Sequence, residues 1–261
     1  MATVRWGKEI AEAYDETSAA MFEPEVLDPV VDRLAELAGD GPALELAIGT
    51  GRVALPLRAR GVNVHGIELS APMVDQLRAK PGGADVPVTI GDMSSTRAPG
   101  SFTLVYLVWN ALMNVTTQDE QVAVFENAAA HLEPGGRFVV EVIVPQVHRV
   151  PPGEAGRVFA LDPDHVGVET FDDRVGQIAS SHHWWTVDGR LLRQSAPYRY
   201  VWPSEVDLMA RVAGLRLQHR WSDWTGTAFS STSEQQVAVF EKPEICVRQT
   251  PASGAGGTQI S

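Results

Sequence analysis

The chain has 261 residues, 44% of them hydrophobic, and a formal net charge of −12 at pH 7, so it can bury a sizeable core but would repel the phosphate backbone of DNA or RNA. No apolar run is long enough to span a membrane and the N-terminus has no apolar signal core, which predicts a cytoplasmic protein whose partners are small molecules. The single cysteine, Cys246, excludes a disulfide framework and an all-cysteine metal site.

The first 150 residues predict two helices followed by an α/β core. The helices fall within residues 8–38, and residues 1–40 are expected to cover the ligand-binding end of the core. Residues 41–150 alternate short apolar runs with helical patterns, which is typical of a mostly parallel sheet with helices on both faces. The clearest helix is 118–132, because Thr117 and Glu120 form a capping box at its start. The predicted strands are 43–47, 62–67, 86–90, 102–108 and 137–144.

The last third of the chain predicts an insertion and then the completion of the core. Residues 151–201 contain an antiparallel hairpin, with strands at 177–186 and 191–201, that is expected to form a cap over the substrate. Arg199 and Tyr200 in this hairpin either contact the substrate or lie on a solvated strand face. Residues 202–241 predict a helix and a pair of strands, and residues 242–261 are expected to be a disordered tail.

The turn after the first predicted strand has the pattern of a nucleotide-binding loop. Gly49 and Gly51 begin a G-x-G-x-x-A sequence that lets the backbone approach a ligand and directs helix amide groups at an anion. Glu68 lies 19 residues after Gly49, at the end of the second strand, where a carboxylate can accept both hydroxyls of a ribose. An adenosine-type nucleotide is therefore predicted, and the alternative is a tight turn that binds nothing.

Two further acids distinguish between possible nucleotides. Glu45 lies on the first strand and Asp92 follows the third, so both are expected at the carboxyl ends of the strands, together with Glu68. Glu45 would repel the pyrophosphate of NAD but attract S-adenosylmethionine (SAM), which carries a sulfonium and an ammonium. Asp92 can accept from the adenine amino group while Met93 packs on the ring, unless Asp92 is an ordinary turn residue. SAM is favoured, and an NAD-dependent oxidoreductase is the alternative.

These motifs resemble those of the class I SAM-dependent methyltransferases. Residues 45–52, 67–73 and 91–93 are similar to the family's first three motifs, and 102–110 and 132–136 to its fourth strand and the approach to its fifth. The resemblance implies a Rossmann-like, mostly parallel seven-stranded sheet with an antiparallel last strand, plus the antiparallel β insertion as a cap. It also implies transfer of methyl from SAM, with S-adenosylhomocysteine as product and no metal. Ala47 departs from the family, which often has glycine there.

The resemblance also suggests residues that bind the cofactor. The chain is similar to bacterial small-molecule N- and O-methyltransferases, in which an early tyrosine closes over the methionine end of SAM. Tyr14 matches that position, although a tyrosine packing on the sheet is an equal alternative. The predicted cofactor-binding residues are Tyr14, Glu45, Ala47, Gly49, Gly51, Arg52, Glu68, Leu69, Met73, Asp92, Met93, Val108 and Trp109.

The acceptor side of the reaction offers fewer clues. An in-line attack on the methyl carbon requires positioning and exclusion of water, and a general base is required only if the acceptor is a hydroxyl. The candidates for catalytic residues are His183, His182 and Asn110. The adjacent histidines point to opposite faces of a strand, so they cannot easily share a metal, and a packing pair is the alternative role. Trp109 and Asn110 are expected beside the reacting methyl, unless they form a structural turn.

Several questions stay open at the level of the sequence. A small-molecule acceptor is predicted, but neither its identity nor the atom that is methylated follows from the residues. A protein that binds SAM without catalysis is a further alternative. The oligomeric state is either monomer or homodimer. Five of the seven tryptophans lie in the last third of the chain, which predicts an apolar or aromatic acceptor pocket under the insertion: Trp184, Trp185, Trp202, Trp221 and Trp224.

Overall fold

The structure is a computed structural model that describes residues 6–244. Most of the tail predicted for residues 242–261, including Cys246, therefore lies outside the described residues. Lys242 is described and belongs to the fold, because its ammonium donates to the carbonyl oxygens of Ala129 and Leu132. In the described part of the chain, no helix combines the length and apolar character needed to cross a membrane.

The larger sheet has seven strands in the order β10-β11-β5-β4-β1-β2-β3. The strands β1 to β5 pair in parallel, and β11 runs antiparallel to both β5 and β10. This arrangement confirms the predicted Rossmann-like sheet with an antiparallel last strand. The strands are β1 (Ala43–Leu46), β2 (Val64–Glu68), β3 (Val88–Ile90), β4 (Phe102–Leu107), β5 (Leu132–Ile143), β10 (Arg216–Trp221) and β11 (Gln235–Glu241).

Helices cover both faces of this sheet. On one face α2 and α3 bury apolar side chains such as Leu34 and Leu57, and on the other face α5 and α6 bury Phe125 and Val206. Half of the predicted capping box is present: the Glu120 amide donates to the Thr117 hydroxyl at 3.2 Å, but the Glu120 carboxylate accepts from that hydroxyl at 2.7 Å and not from the Thr117 amide. The helices are α1 (Lys8–Thr17), α2 (Pro24–Ala38), α3 (Ala54–Ala59), α4 (Ala71–Ala79), α5 (Gln118–His131) and α6 (Pro203–Val212).

The insertion forms a second, four-stranded antiparallel sheet rather than the two-stranded hairpin that the sequence predicts. We call this sheet the cap. Its strands are β6 (Gly156–Asp162), β7 (His165–Asp173), β8 (Ile178–Val187) and β9 (Arg190–Arg199), in sequential order. The first two strands escape prediction because β6 is an edge strand whose apolar residues, such as Val158 and Leu161, are exposed instead of alternating in and out of a core.

A buried polar cluster joins the cap to the core. The Arg199 guanidinium, at the end of β9, donates to Gln121 of α5 at 2.6 Å and to Glu205 of α6 at 2.8 Å. It also donates to Gln177, next to the start of β8, at 3.2 Å. Arg199 is buried, so both of its predicted roles, substrate contact and solvated strand face, are wrong. Because the charge is paired and hydrogen-bonded, it fixes the cap rather than binding a ligand.

Helix α1 is attached to the loops at the carboxyl ends of β1 and β2. Asp15 accepts from the Thr50 hydroxyl at 2.7 Å and pairs with Lys80, which in turn donates to the Thr50 carbonyl at 2.8 Å. The Ser70 hydroxyl donates to the Trp6 carbonyl at 2.6 Å. These contacts, all between groups far apart in sequence, hold α1 across the end of the sheet where ligands of open α/β folds bind.

Candidate functional site

A cavity of about 760 Å³ lies between the carboxyl ends of β1 to β4, helix α1 and the inner face of the cap. All but one of the predicted cofactor-binding residues line it, on the side formed by the large sheet. The residue that does not line the cavity is Gly51. The cap side of the cavity is lined by Arg157, Phe159, Glu169, Ser181, His183, Trp185, Leu192, Gln194, Ala196 and Tyr198.

The glycine-rich turn adopts left-handed backbone conformations at alternate positions, with φ of 56° at Ala47, 57° at Gly49 and 79° at Gly51. A left-handed conformation is costly for alanine, so the position where the family often has glycine carries local strain of about 1 kcal/mol. At Gly51 a Cβ atom would lie 2.3 Å from Leu77 Cδ1 of α4. Gly51 therefore allows the turn to pack closely against α4, and it does not form part of the cavity wall.

Glu68 is held in place by the backbone of the turn. Its carboxylate accepts from the amide of Gly49 at 2.9 Å and from the amide of Ser70 at 2.8 Å. The residue is 5% exposed, and burial raises the pKa of its carboxyl despite these hydrogen bonds. Two oxygens offer about four lone-pair sites, so acceptor capacity remains for the hydroxyls of a ribose.

Glu45 is a buried carboxyl group on the floor of the cavity. It is 3% exposed and accepts a hydrogen bond of 2.9 Å from the Tyr106 hydroxyl. Burial raises the pKa of Glu45 to about 8, although the Tyr106 hydrogen bond and the nearby Arg52 guanidinium act in the opposite direction. A cation in the cavity would favour the ionised form of this carboxyl, as expected for a site that receives a positively charged ligand.

Asp92 forms the hydrogen bonds of a turn residue and also lines the cavity. One of its carboxylate oxygens accepts from the amide and hydroxyl of Ser94, both at 2.8 Å, which is the geometry of a turn aspartate. The side chain nevertheless lines the cavity. Met93 lies beside it, and its backbone carbonyl is fixed by the Asn127 amide at 2.7 Å. Tyr14 also lines the cavity, where its ring packs edge-on against Trp6 at 5.7 Å.

The turn after β4 is strained. Trp109 and Asn110 are consecutive residues with φ of 53° and 59°, a conformation that is uncommon for residues other than glycine. The side chain of Asn110 stabilises the turn, because its amide oxygen accepts from the Ile143 amide at 2.6 Å. This contact supports the alternative in which Asn110 forms a structural turn. Trp109 is 45% exposed, lines the cavity, and packs its ring 5.4 Å from the Arg52 guanidinium carbon.

Glu141 holds this turn, and the sequence analysis missed it. Its carboxylate accepts from the Trp109 amide at 2.7 Å and from the Trp224 indole at 2.8 Å, and its carbonyl accepts from the Asn110 amide at 3.2 Å. Glu141 is 7% exposed, and burial raises the pKa of its carboxyl. The available signal was a single charged residue inside the apolar run 138–143 of β5.

The two adjacent histidines of β8 lie on opposite faces of the cap, as expected for neighbours on a strand. His183 lines the cavity, where its imidazole is hydrogen-bonded to the Ser181 hydroxyl at 2.7 Å and to His165 at 2.9 Å. His182 does not line the cavity, and it is hydrogen-bonded instead to Ser195 at 2.9 Å. His182 is therefore not a suitable base. Among residues 6–244, no group of three or more side chains is arranged to hold a metal ion.

The environment of His183 weakens it as a base. Its ring stacks on Trp185 with centroids 4.6 Å apart, and Phe159 packs edge-on at 5.3 Å. Burial, followed by the neighbouring His165 and His182, lowers the pKa of His183 to about 4. The imidazole is therefore neutral near pH 7 and holds a proton poorly.

The cap also contributes a buried carboxylate that the sequence did not indicate. Glu169 on β7 accepts from the Arg157 guanidinium at 2.9 Å and from the Tyr198 hydroxyl. Burial, reinforced by Glu169, raises the pKa of Tyr198, so that its hydroxyl stays protonated. No signal marked Glu169 because the strand that carries it was not predicted.

The expected tryptophan-rich pocket is largely wrong. Of the five tryptophans in the last third of the chain, only Trp185 lines the cavity. Trp184 lies over Arg193, Trp221 packs against Arg33 and Trp224 binds Glu141. Aromatic residues still form part of the cap side of the cavity. Apart from Trp185, they are Phe159 and Tyr198 and not the predicted tryptophans.

Comparisons with known proteins agree with this geometry. Residues 43–136 match a family model described as a methyltransferase domain. The chain is 27% identical over 240 residues to cypemycin N-terminal methyltransferase from a Streptomyces species, covering 88% of this chain and 97% of that protein. It is 33% identical over 118 residues, 45% of each protein, to dTDP-4-amino-2,3,4,6-tetradeoxy-D-glucose N,N-dimethyltransferase from Saccharopolyspora spinosa. Among solved structures, the CcbJ methyltransferase from Streptomyces caelestis has a TM-score of 0.81 and 35% identity, covering 92% of this chain and 98% of that chain.

Proposed function

The chain belongs to the class I SAM-dependent methyltransferases, and we propose that it methylates an amine nitrogen of a small acceptor of the natural-product type. Bound SAM supplies an electrophilic methyl group on a positively charged sulfur, and S-adenosylhomocysteine is the second product. The acceptor nitrogen forms the N–C bond with its lone pair while the S–C bond breaks and the sulfur keeps the bonding electrons. The methylated ammonium then loses one proton to water.

The residues on the large-sheet side of the cavity suit SAM. We assign Glu68 to the ribose hydroxyls and Asp92, with Met93, to the adenine, because each lines the cavity with acceptor capacity or apolar surface to spare. Glu45 is a buried carboxyl whose pKa is raised even though Arg52 is near, and the positive charges of SAM would favour its ionised form. Tyr14 and Leu69 would then exclude water from the two ends of the ligand.

The observation that favours an amine over a hydroxyl is that the imidazole and the phenol on the cap side, His183 and Tyr198, are unsuited to remove a proton. A hydroxyl acceptor needs a group that takes its proton, whereas a neutral amine already has a free lone pair. His183 has a pKa lowered to about 4, so it is a poor proton acceptor near neutral pH. The Tyr198 hydroxyl has a raised pKa, and it is already a donor to Glu169. Both residues suit positioning better than proton removal.

The names of two relatives support the same choice. One is called an N-terminal methyltransferase and the other an N,N-dimethyltransferase, and both names describe transfer to nitrogen. The first of these resembles this chain over nearly its whole length. For the present chain the nitrogen acceptor remains our proposal.

The proposal is tested with pairs of compounds that differ only in carrying an amine or a hydroxyl at the same position. Purified protein is incubated with SAM that has a labelled methyl group, and label in each acceptor is measured. We expect label in the amine members, and a rise of the melting temperature with SAM and S-adenosylhomocysteine but not with NADH. Label that enters the hydroxyl members at equal or greater rates would refute the proposed amine specificity.

A further inference from the structure

Glu169 is a buried carboxylate in the wall of the cap, held by side chains from two other strands. It is 7% exposed. Arg157 lies directly opposite it on β6 and donates at 2.9 Å, while the Tyr198 hydroxyl reaches it from β9. The side chain of Arg157 is 28% exposed, so the pair is only partly buried, and such a pair contributes little to stability. Stability therefore gives little reason for a charged group at position 169.

The carboxylate keeps the capacity to bind a further donor. A carboxylate offers about four lone-pair sites, and the two described hydrogen bonds use one on each oxygen. Glu169 lines the cavity together with both of its partners. A ligand N–H can therefore complete the set of hydrogen bonds without displacing Arg157 or Tyr198.

Beyond the row of Phe171, Ala179 and Tyr198, which packs on the core, the inner face of the cap changes from polar to aromatic along its strands. In the polar row, Arg157, Glu169 and Ser181 are register partners on adjacent strands. Two residues further along β8 lies His183, and two further again lies Trp185. At about 3.3 Å per residue, the distance along β8 from Ser181 to Trp185 is about 13 Å.

The polar row lies close to the end of the cap that joins the core. Arg199, the last residue of β9, is bound to α5 and α6 of the core, so Tyr198 lies close to the core. Tyr198 and Ala111 pack against the same buried cluster, and Ala111 directly follows the strained Trp109–Asn110 turn. Trp185, in contrast, lies four residues along β8 from this row.

We propose that Glu169, fixed by Arg157 and Tyr198, is the subsite that binds the acceptor nitrogen, and that the rings of Phe159, His183 and Trp185 bind the body of the acceptor. The acceptor is then an amine joined to an apolar or aromatic body within about 13 Å. This inference rests on the proposed amine acceptor. As the N–C bond forms, positive charge develops on nitrogen and the Glu169 carboxylate stabilises it. The same carboxylate disfavours the negative oxygen that a hydroxyl acceptor would need.

The test measures binding of 4-phenylbutylamine and 4-phenylbutanol to the protein saturated with S-adenosylhomocysteine, by isothermal titration calorimetry. The wild type should bind the amine more tightly than the alcohol. Glu169→Gln should weaken binding of the amine about 10- to 100-fold and leave binding of the alcohol unchanged, because it removes one charge-assisted hydrogen bond. Glu154→Gln, which alters an exposed carboxylate before β6, is the matched control and should bind both compounds as the wild type does.

Folding is checked by the affinity of each variant for S-adenosylhomocysteine. If Glu169→Gln does not fold, Tyr198→Phe replaces it and should weaken amine binding about three- to tenfold, since it removes one bond that fixes the carboxylate. Equal affinity of a folded variant and the wild type for the amine would overturn the inference, as would a wild type that prefers the alcohol. Transfer of methyl to hydroxyls would instead overturn the proposed function, so the two failures are distinguishable.

Discussion

Single residues decide the geometry of the cavity wall, and Glu141, which supports the turn after β4, is the clearest case. Its carboxylate accepts from the Trp109 amide and the Trp224 indole, and thereby supports two consecutive left-handed residues. Glu141→Gln replaces one accepting oxygen by an amide that can only donate, which leaves one donor without a partner. We expect a loss of about 1–3 kcal/mol in the free energy of unfolding, measured by urea denaturation.

The matched control for this prediction is Glu133→Gln, which changes an exposed glutamate of the same strand and should leave stability unchanged. Turnover gives a second readout. If the turn positions the reacting groups, Glu141→Gln lowers kcat more than it changes the KM for SAM. A variant as stable as the control would show that Glu141 does not support the turn.

The residues of the site differ in how easily they can be recognised from the sequence. Glu68 and Asp92 could be found because they end predicted strands at fixed distances from the glycine-rich turn. Glu141 and Glu169 could not, because each acts through partners that are far away along the chain. Trp224 is 83 residues from Glu141, and Tyr198 is 29 residues from Glu169. Sequence spacing carries no information about such pairs until the strands have been placed next to each other.

At the scale of elements, helix α1 closes the cofactor side of the cavity through one carboxylate. Asp15 joins α1 to Thr50 and Lys80, which belong to the glycine-rich turn and the end of α4. Asp15→Ala should therefore loosen the helix and weaken SAM binding. The contacts are partly exposed, so the expected loss is about 1 kcal/mol, or about fivefold in the dissociation constant.

Two measurements check this effect of the helix. Calorimetry gives the dissociation constant of SAM, and hydrogen exchange of residues 8–17 reports whether α1 opens. Glu16→Ala, which removes the neighbouring exposed carboxylate, serves as the control and should change neither. Faster exchange in Asp15→Ala with an unchanged SAM affinity would show that α1 moves independently of the cofactor.

The cap shows why elements without a strong hydrophobic period escape prediction. The strands β8 and β9 were predicted as a hairpin from the Asp188-Gly189 turn, and the structure confirms a hairpin there. The strands β6 and β7 gave no such pattern, because one face of the cap lines a cavity and the other meets solvent. Only the end of the inner face near Phe171 packs on the core, and where a strand has no core to face, the alternation of polar and apolar residues weakens.

For the molecule as a whole, the burial of Glu45 links SAM binding to pH. The pKa of Glu45 in the folded, ligand-free protein is about 8, above the ordinary value of 4.5. Between these two pH values the folded protein keeps a proton that the unfolded chain has lost, so the fold loses stability as pH rises from about 4.5 to about 8. A bound cation offsets that cost. The rise in melting temperature caused by SAM should therefore increase between pH 6 and pH 9.

Glu45→Gln is the control that separates this effect from titration of SAM itself. Besides the ligand, the groups that face Glu45 are the Tyr106 and Tyr14 hydroxyls, the Arg52 guanidinium, the Glu68 carboxylate and the backbone amide of Ala54. The variant keeps all of them but cannot ionise, so its response to SAM should change less between pH 6 and pH 9. A wild type and a variant with the same pH dependence would contradict this assignment.

The mostly parallel sheet with an antiparallel last strand followed from the sequence, whereas the cap side of the cavity did not. The motifs of the cofactor side come from one stretch of chain, residues 45–110, and each motif follows a strand that can be recognised by its apolar run. The acceptor side is assembled from a sheet of another type, whose inner face mixes Glu169 with Trp185. Its chemistry became visible only from the pairing of the strands.

The two sides of the cavity are thus encoded in separate parts of the gene. The cap leaves the core after β5 and returns before α6, and Arg199 supplies its main polar attachment at the return point. If the cap binds the acceptor as proposed, replacements within residues 156–198 alter which molecules are accepted and leave the residues of the large sheet unchanged. The cap is thus a short segment that can be varied, by evolution or by engineering, when new acceptors are sought, provided that Arg199 and its hydrogen bonds to the core are kept.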